Sequence, residues 1–348
     1  MNEPYFTKDS ALLLMDCGKA DGSFYTEDEI KAMADAGIRT GIIFDINWPD
    51  IEKRWGVYDW GKLDERVALL NRCGMRAMIK WYTCAPSWFP SDWWACASGG
   101  PIVGALSPWC ESAQAYERAT SAEVCRRYND EALGNVVVNS QSGHGETVMP
   151  TVPCWFDPYA TAAFKRANGS DAKPYYPNPN GPITDKATFD FLYDGYLSML
   201  QLQAEVFIDN PWRLLYSAFH PCFIDILHWD CTGNQWLPEI LSLYKNMGAQ
   251  TVQVFYNWIG YEQYWGGWAR QSQAYGTQMF GGAEYSEGLR GKNSTRLAIQ
   301  NGMTGQIIGP CHMLTNHLEV TPEMLTEIKW AANEWALYNG STTPPEVV

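Results

Sequence analysis

Three glutamates stand where their carboxyl groups could break a covalent bond. Glu146 lies in GNVVVNSQSGHGETVMP, where an apolar, β-branched run gives way to a Gly-His-Gly turn, the acid, and a proline-bounded loop. Glu284 and Glu287 lie in TQMFGGAEYSEGLRGKN, beyond a second apolar run. An acid that follows a buried strand through a glycine turn is held at the strand's end. Two such acids from distant stretches can face each other across one cavity. Glycosidic cleavage needs that pair: a carboxylic acid to protonate the leaving oxygen, and a second carboxylate to attack the anomeric carbon or activate water. Alternate strand residues point the same way, so Glu284 shares a face with Gln278, Phe280 and Gly282, whereas Glu287 falls in the turn beyond. Glu284 is the preferred second carboxylate and Glu287 the alternative. Burial among aromatics and the charge of its partner would hold Glu146 protonated as general acid while Glu284 stays ionised.

Such acids need a scaffold that brings distant strand ends together, and the chain alternates β and α patterns throughout. Apolar runs, several with β-branched residues, predict strands at 11–15, 40–45, 76–81, 136–140, 214–219, 252–256, 278–282 and 306–309. Helical patterns lie between them. TEDEIKAMADAG opens with Thr26 three residues before Glu29, a capping-box spacing, and stops at Gly37. LDERVALLNRC at 63–73 sets Leu63, Val67 and Leu70 on one face and ends at Gly74. Further helices are predicted at 121–129, 185–207, 237–246, 295–301 and 322–338. Eight such units imply parallel strands closing into a (β/α)8 TIM barrel, a single α/β domain over 1–340 with a tail at 341–348. A doubly wound open sheet would carry a glycine-rich phosphate loop after its first strand, and DCGKADGSF is not one. Long loops, rich in aromatics, Pro and Gly, are expected after strands three and four, at 86–112 and 150–180. Barrel enzymes build their sites at that end.

Other polar groups at predicted strand ends could line a sugar subsite: Asp45 and Trp48 after strand two, Lys80 and Trp81 at strand three, and His220 after strand five. Tyr256, Asn257 and Trp258 follow strand six, and His312 follows strand eight. The chain also holds 17 Trp, 19 Tyr and 13 Phe, many beside Gly and Pro in loops, where flat rings can stack on sugar faces.

Composition removes several classes of partner. A formal charge of −14 argues against nucleic acid or an anionic membrane as ligand, and points to a neutral substrate such as an oligo- or polysaccharide. No uncharged apolar stretch is long enough for a membrane span, and no signal peptide is visible, so a cytoplasmic or particle-associated location is favoured over classical secretion. The ten cysteines show no CxxC pair, and free thiols are expected, although Cys84, Cys96 and Cys110 share one predicted loop and could pair. The five histidines lack metal-ligand spacing, and there is no GxSxG elbow. Two-carboxylate hydrolysis needs neither metal nor cofactor.

The segment WPDIEKRWGVYDWGKLDERVALLNRCGMRAMIKWYTCAPSW is similar to a pattern of the clan A glycoside hydrolases, the superfamily of β-galactosidases and β-amylases, and GHGETVMP resembles the β-amylase Gly-Glu-Leu turn. The resemblance covers most of the chain. It implies an acid after strand four and a second carboxylate after strand seven, the places of Glu146 and Glu284 or Glu287. Many members carry Asn before the first glutamate, where this chain has Gly145, so the hydrogen bond to the sugar 2-hydroxyl needs another donor. Asn139, Gln141 and His144 are the candidates. Retention and inversion both stay open. Two other readings compete: a carbohydrate-binding barrel without catalysis, serving a larger assembly, and a barrel isomerase or aldolase, for which Lys80 would be the strand-end lysine.

Overall fold

The computed structural model describes residues 5–6, 12–14, 23–43, 46–82, 84–97, 100–140, 156–171, 185–219, 242–256, 274, 278–282, 292–308 and 320–340. In chain order the first elements are β1 (Leu12–Leu14), α1 (Glu27–Ala36), β2 (Thr40–Ile43), α2 (Trp48–Ile51), β3 (Glu52–Arg54), β4 (Val57–Tyr58), α3 (Gly61–Arg72) and β5 (Arg76–Tyr82). Then come β6 (Trp94–Ala97), β7 (Gly100–Leu106), α4 (Glu111–Tyr128), β8 (Val136–Ser140), α5 (Pro158–Asn168), α6 (Lys186–Phe207) and β9 (Leu214–Phe219). A helical stretch at 242–246 precedes β10 (Gln250–Tyr256), β11 (Gln278–Gly282), α7 (Lys292–Gln300), β12 (Gly305–Ile308) and α8 (Pro322–Gly340).

Eight strands form one sheet in the order β8-β5-β2-β1-β12-β11-β10-β9, and every neighbouring pair is parallel. They correspond one for one to the eight strands read from the sequence, and β8, β9 and β11 keep the expected bounds. The two ends of this order, β8 and β9, are joined by a side chain: the Tyr216 N–H donates to Asn139 Oδ1 at 2.8 Å.

Alternation along the strands sorts side chains into two layers. Ile42, Met78, Val136, Val138, Leu214 and Tyr216 cluster on one face with Tyr5 and Phe6. Ile43, Ala77, Ile79, Trp81, Val137 and Leu215 face the other way and pack with helix residues such as Met33, Leu70, Val124, Leu200 and Phe207. The inner cluster is capped at the strands' amino ends. Tyr5 donates its hydroxyl to Gly134 O at 2.8 Å, and Arg76 donates to Tyr5 O at 2.8 Å with its guanidinium 4.2 Å from the Tyr5 ring centroid. Burial pushes the Tyr5 phenol up to about 12. Gly134 has φ +72°, and a Cβ there would meet Arg76 Cδ at 2.4 Å, so this closure requires glycine.

Helix signals were read correctly where capping is local. Thr26 accepts from the Glu29 N–H while the Glu29 carboxylate accepts from the Thr26 N–H at 2.8 Å, and Gly37 caps the other end at φ +126°. Three expectations need correction. The helix expected at 121–129 starts ten residues earlier, as α4 over Glu111–Tyr128. Residues 86–112 are not all loop: they contain a 3-10 turn (Ser91–Trp93) and the antiparallel hairpin of β6 and β7. Residues 150–180 contain α5, whose Asp157 N-cap and Pro158 at the first turn form a start signal of the kind already used for α1. A further hairpin, β3–β4, follows α2. Cys84, Cys96 and Cys110 are free thiols. Among the described residues no helix is long and apolar enough to cross a membrane.

Candidate active site

Because the eight strands are parallel, all their carboxyl ends share one side of the sheet. At that side Lys80, Trp81 and Tyr82 of β5 pair with Val138, Asn139 and Ser140 of β8, and Tyr256 of β10 pairs with Gly282 of β11. Glu146 follows the last residue of β8 by six positions and Glu284 follows the last of β11 by two. Asp45, Gln141, His144, Glu146, His220, Asn257, Trp258, Glu284, Glu287 and His312 lie outside the described residues, as does the side chain of Tyr256.

Four site candidates lie within them, and strand parity separates three. Lys80 has the parity of Met78, is 2% exposed, and holds its ammonium 4.8 Å from the ring centroid of Tyr216, an inner-layer residue. Lys80 therefore lies on the face of the sheet opposite the helices. Trp81 and Asn139 have the opposite parity. Trp81 is fully buried in the strand–helix layer. Asn139 Nδ2 donates to the Tyr244 hydroxyl at 3.1 Å, and its Oδ1 accepts from Tyr216. Tyr244 sits in the helical stretch behind the sheet, where burial raises its phenol pKa. The amide of Asn139 thus ties β8, β9 and that helix together, and neither Trp81 nor Asn139 lies on the face that carries Lys80.

Trp48, the fourth, is fully buried and spends its ring on the scaffold. Its Nε1 donates to Glu52 Oε2 at 2.5 Å, and its ring lies 5.3 Å from Phe89 and 6.1 Å from Tyr116. Glu52 is itself fully buried, and it organises the loops that leave β2 and β5. Its Oε1 accepts from the Gly56 N–H at 2.6 Å and from the Tyr116 hydroxyl, while its carbonyl accepts from Trp88 Nε1 at 3.3 Å. Burial, and then the bond to Glu52, raise the Tyr116 phenol well above its usual range. Sequence reasoning did not single out Glu52, although it is the acid of the Ile-Glu pair in the quoted segment. The same segment pins α4: Asp64 accepts from the Tyr128 hydroxyl at 2.8 Å and from Arg127, and Tyr58 shares a hydrogen bond with Thr120 at 3.3 Å. These aromatic and acidic positions build the scaffold of the loops.

A second anchor joins the β6–β7 hairpin to the chain entering α5. The Phe156 N–H donates to Cys96 O at 2.7 Å. Asp157 Oδ1 accepts from Ser107 Oγ at 2.9 Å and from the N–H groups of Tyr159 and Ala160 at 3.0 and 2.9 Å. Asp157 Oδ2 is buried without a partner, and burial raises the carboxyl pKa above its ordinary 3.8 despite those donors. A carboxyl raised on folding stabilises most below its unfolded pKa, and that contribution is lost as pH rises through the folded value. Asp157→Asn keeps the capping oxygen and cannot ionise. Its melting temperature relative to the wild type should therefore rise between about pH 4 and about pH 7. A difference independent of pH, or one falling over that window, would contradict this role.

No family model matches the chain. A curated β-galactosidase of the haloarchaeon Halorubrum lacusprofundi is 26% identical over 148 residues, 39% of this chain and 20% of that protein. In three dimensions the catalytic domain of a β-amylase from Paenibacillus polymyxa superposes with a TM-score of 0.64 at 12% identity, covering 93% of this chain and 98% of that one. A cold-adapted β-galactosidase from Rahnella sp. R3 superposes with a TM-score of 0.68 at 10% identity, covering 97% of this chain and 58% of that one. The chain thus spans little more than half of that galactosidase, and its match to the curated relative covers a fifth of that protein. Its fold is the one it shares with these two structures.

Proposed function

We propose that this chain is a glycoside hydrolase unit whose eight strands close into a (β/α)8 barrel, with Glu146 as general acid and Glu284 as nucleophile or general base. Glu287 is the alternative second carboxylate. The observation that carries this reading is the strand order. With β8 beside β9, the fourth and seventh strands of the ring, β8 and β11, are separated by two strands on one side and four on the other. Short tethers from the carboxyl ends of nearly opposite strands suit two acids that must act on one bond from either side. Lys80, on the face of the sheet opposite the helices and two residues before the end of β5, in this reading offsets part of the charge of the ionised carboxylate.

The sugar chemistry follows from the relatives. β-Galactosides come first and α-glucans second, because the relatives are named as β-galactosidases and a β-amylase. A separation of ~5 to 5.5 Å between carboxyls gives a covalent glycosyl intermediate and retention, whereas ~6.5 to 9.5 Å leaves room for water and gives inversion. The test is a panel of nitrophenyl glycosides and soluble polysaccharides, with the anomer of the first product read by NMR. Release of nitrophenol or reducing sugar from one class supports the proposal. A panel with no turnover at high protein concentration removes it and leaves a carbohydrate-binding barrel.

A further inference from the structure

We infer that the indole of Trp55 is a stacking platform for a ring of a neutral oligosaccharide extending beyond the proposed pair of glutamates; this rests on the glycoside hydrolase reading above. Trp55 occupies the turn between β3 and β4 and is 50% exposed, while Trp48 and Trp94 of the same aromatic cluster are 0% and 4% exposed. Its ring is nonetheless held on several sides. Centroids lie 4.5 Å away at Tyr116, 5.5 Å at Phe89, 5.5 Å at Trp93 and 5.7 Å at Trp88. The cage is itself pinned, since Tyr116, the Gly56 N–H and Trp88 Nε1 all donate to Glu52. A ring so confined has little rotamer freedom left to lose, and binding to it carries a small ordering cost.

Size and surroundings select the occupant. Next to Trp55 the apolar surface is the exposed Val57 and the half-buried rings of Trp88, Trp93 and Tyr116, while Lys53, Arg54 and Asp59 of the same hairpin region are exposed and polar. A stable protein interface removes about 800 Å² from each partner, more than one half-exposed indole, a valine and the edges of three half-buried rings can offer. A pyranose presents a C–H face of about indole dimensions edged by hydroxyls, which fits an apolar plate with a polar rim. The formal charge of −14 favours an uncharged sugar over an acidic one. Position agrees as well. The cage is built by the segments that leave β2 and β5 at their carboxyl ends, the side from which Glu146 and Glu284 also depart. Trp55 would then serve a sugar unit remote from the scissile bond.

The experiment is an NMR titration of the full chain carrying Glu146→Gln with β-1,4-galactotetraose and, separately, maltotetraose. The indole N–H signal of Trp55 is assigned by its loss in Trp55→Phe. With one of the two sugars that signal should shift at saturation, Trp55→Ala should raise Kd about tenfold, and Trp55→Phe should hold Kd within about threefold. An unshifted signal with both sugars, or equal Kd values for Trp55→Ala and its parent, overturns the platform. Failure of the hydrolase reading looks different. A protein that binds through Trp55 yet cleaves no glycoside loses the catalytic assignment and keeps the platform, whereas turnover without any Trp55 effect on binding does the reverse.

Discussion

Glu146→Gln should lower kcat on a glycoside with a poor leaving group by about 10²- to 10⁴-fold, the usual contribution of a positioned general acid. The amide keeps the size of the side chain and removes the proton that the leaving oxygen must receive. An activated nitrophenyl glycoside departs with less help, so its kcat should fall much less, and the ratio between the two substrates is the diagnostic quantity. The variant should keep the wild-type circular dichroism spectrum, since the substitution preserves side-chain size at a position beyond the last residue of β8. Equal loss on both substrates would point to a binding or structural role. Unchanged turnover on both would remove Glu146 from the mechanism.

Glu52→Ala should destabilise the fold by about 1–3 kcal/mol, the cost of leaving the buried Trp48 Nε1–H without an acceptor, with a smaller addition from the part-buried Tyr116 hydroxyl and Gly56 N–H. Three donors converge on this fully buried carboxylate: Trp48 Nε1, the Gly56 N–H and the Tyr116 hydroxyl. Glu52→Gln does not repair the site. Its NH₂ group would face either the Trp48 Nε1–H or the Gly56 N–H, and two donors cannot satisfy each other. Urea denaturation followed by tryptophan fluorescence reads both variants, and the loops after β2 and β5 should loosen before the sheet melts. A midpoint within experimental error of the wild type would mean that solvent reaches these donors and that Glu52 does not organise the loops.

The strands were legible because burial of a parallel strand demands a mostly apolar run, and the Val136–Val138 run of VVVNS and the leucines and aromatics of LLYSAF carry that demand locally. Local caps were legible for the same reason: Thr26, Glu29 and Gly37 act within one helical turn of themselves. The β6–β7 hairpin was not legible. GPIVGAL carries the Gly and Pro that mark loops, WACA is only four residues long, and the pairing of the two is accompanied by the packing of Trp94 on Phe89, which lies outside both strands.

The candidate site divides along the same line. Residue order alone determined that acids follow the fourth and seventh apolar runs, since each is tied to its strand by a few peptide bonds. It did not determine which neighbours of those strands look inward. Lys80 and Trp81 are adjacent in the chain and leave the sheet on opposite faces, and Asn139 is claimed by Tyr244, 105 residues away. Strand parity becomes a direction only when the sheet has an inside, and a hydrogen bond across that span exists only once the chain has brought its ends together.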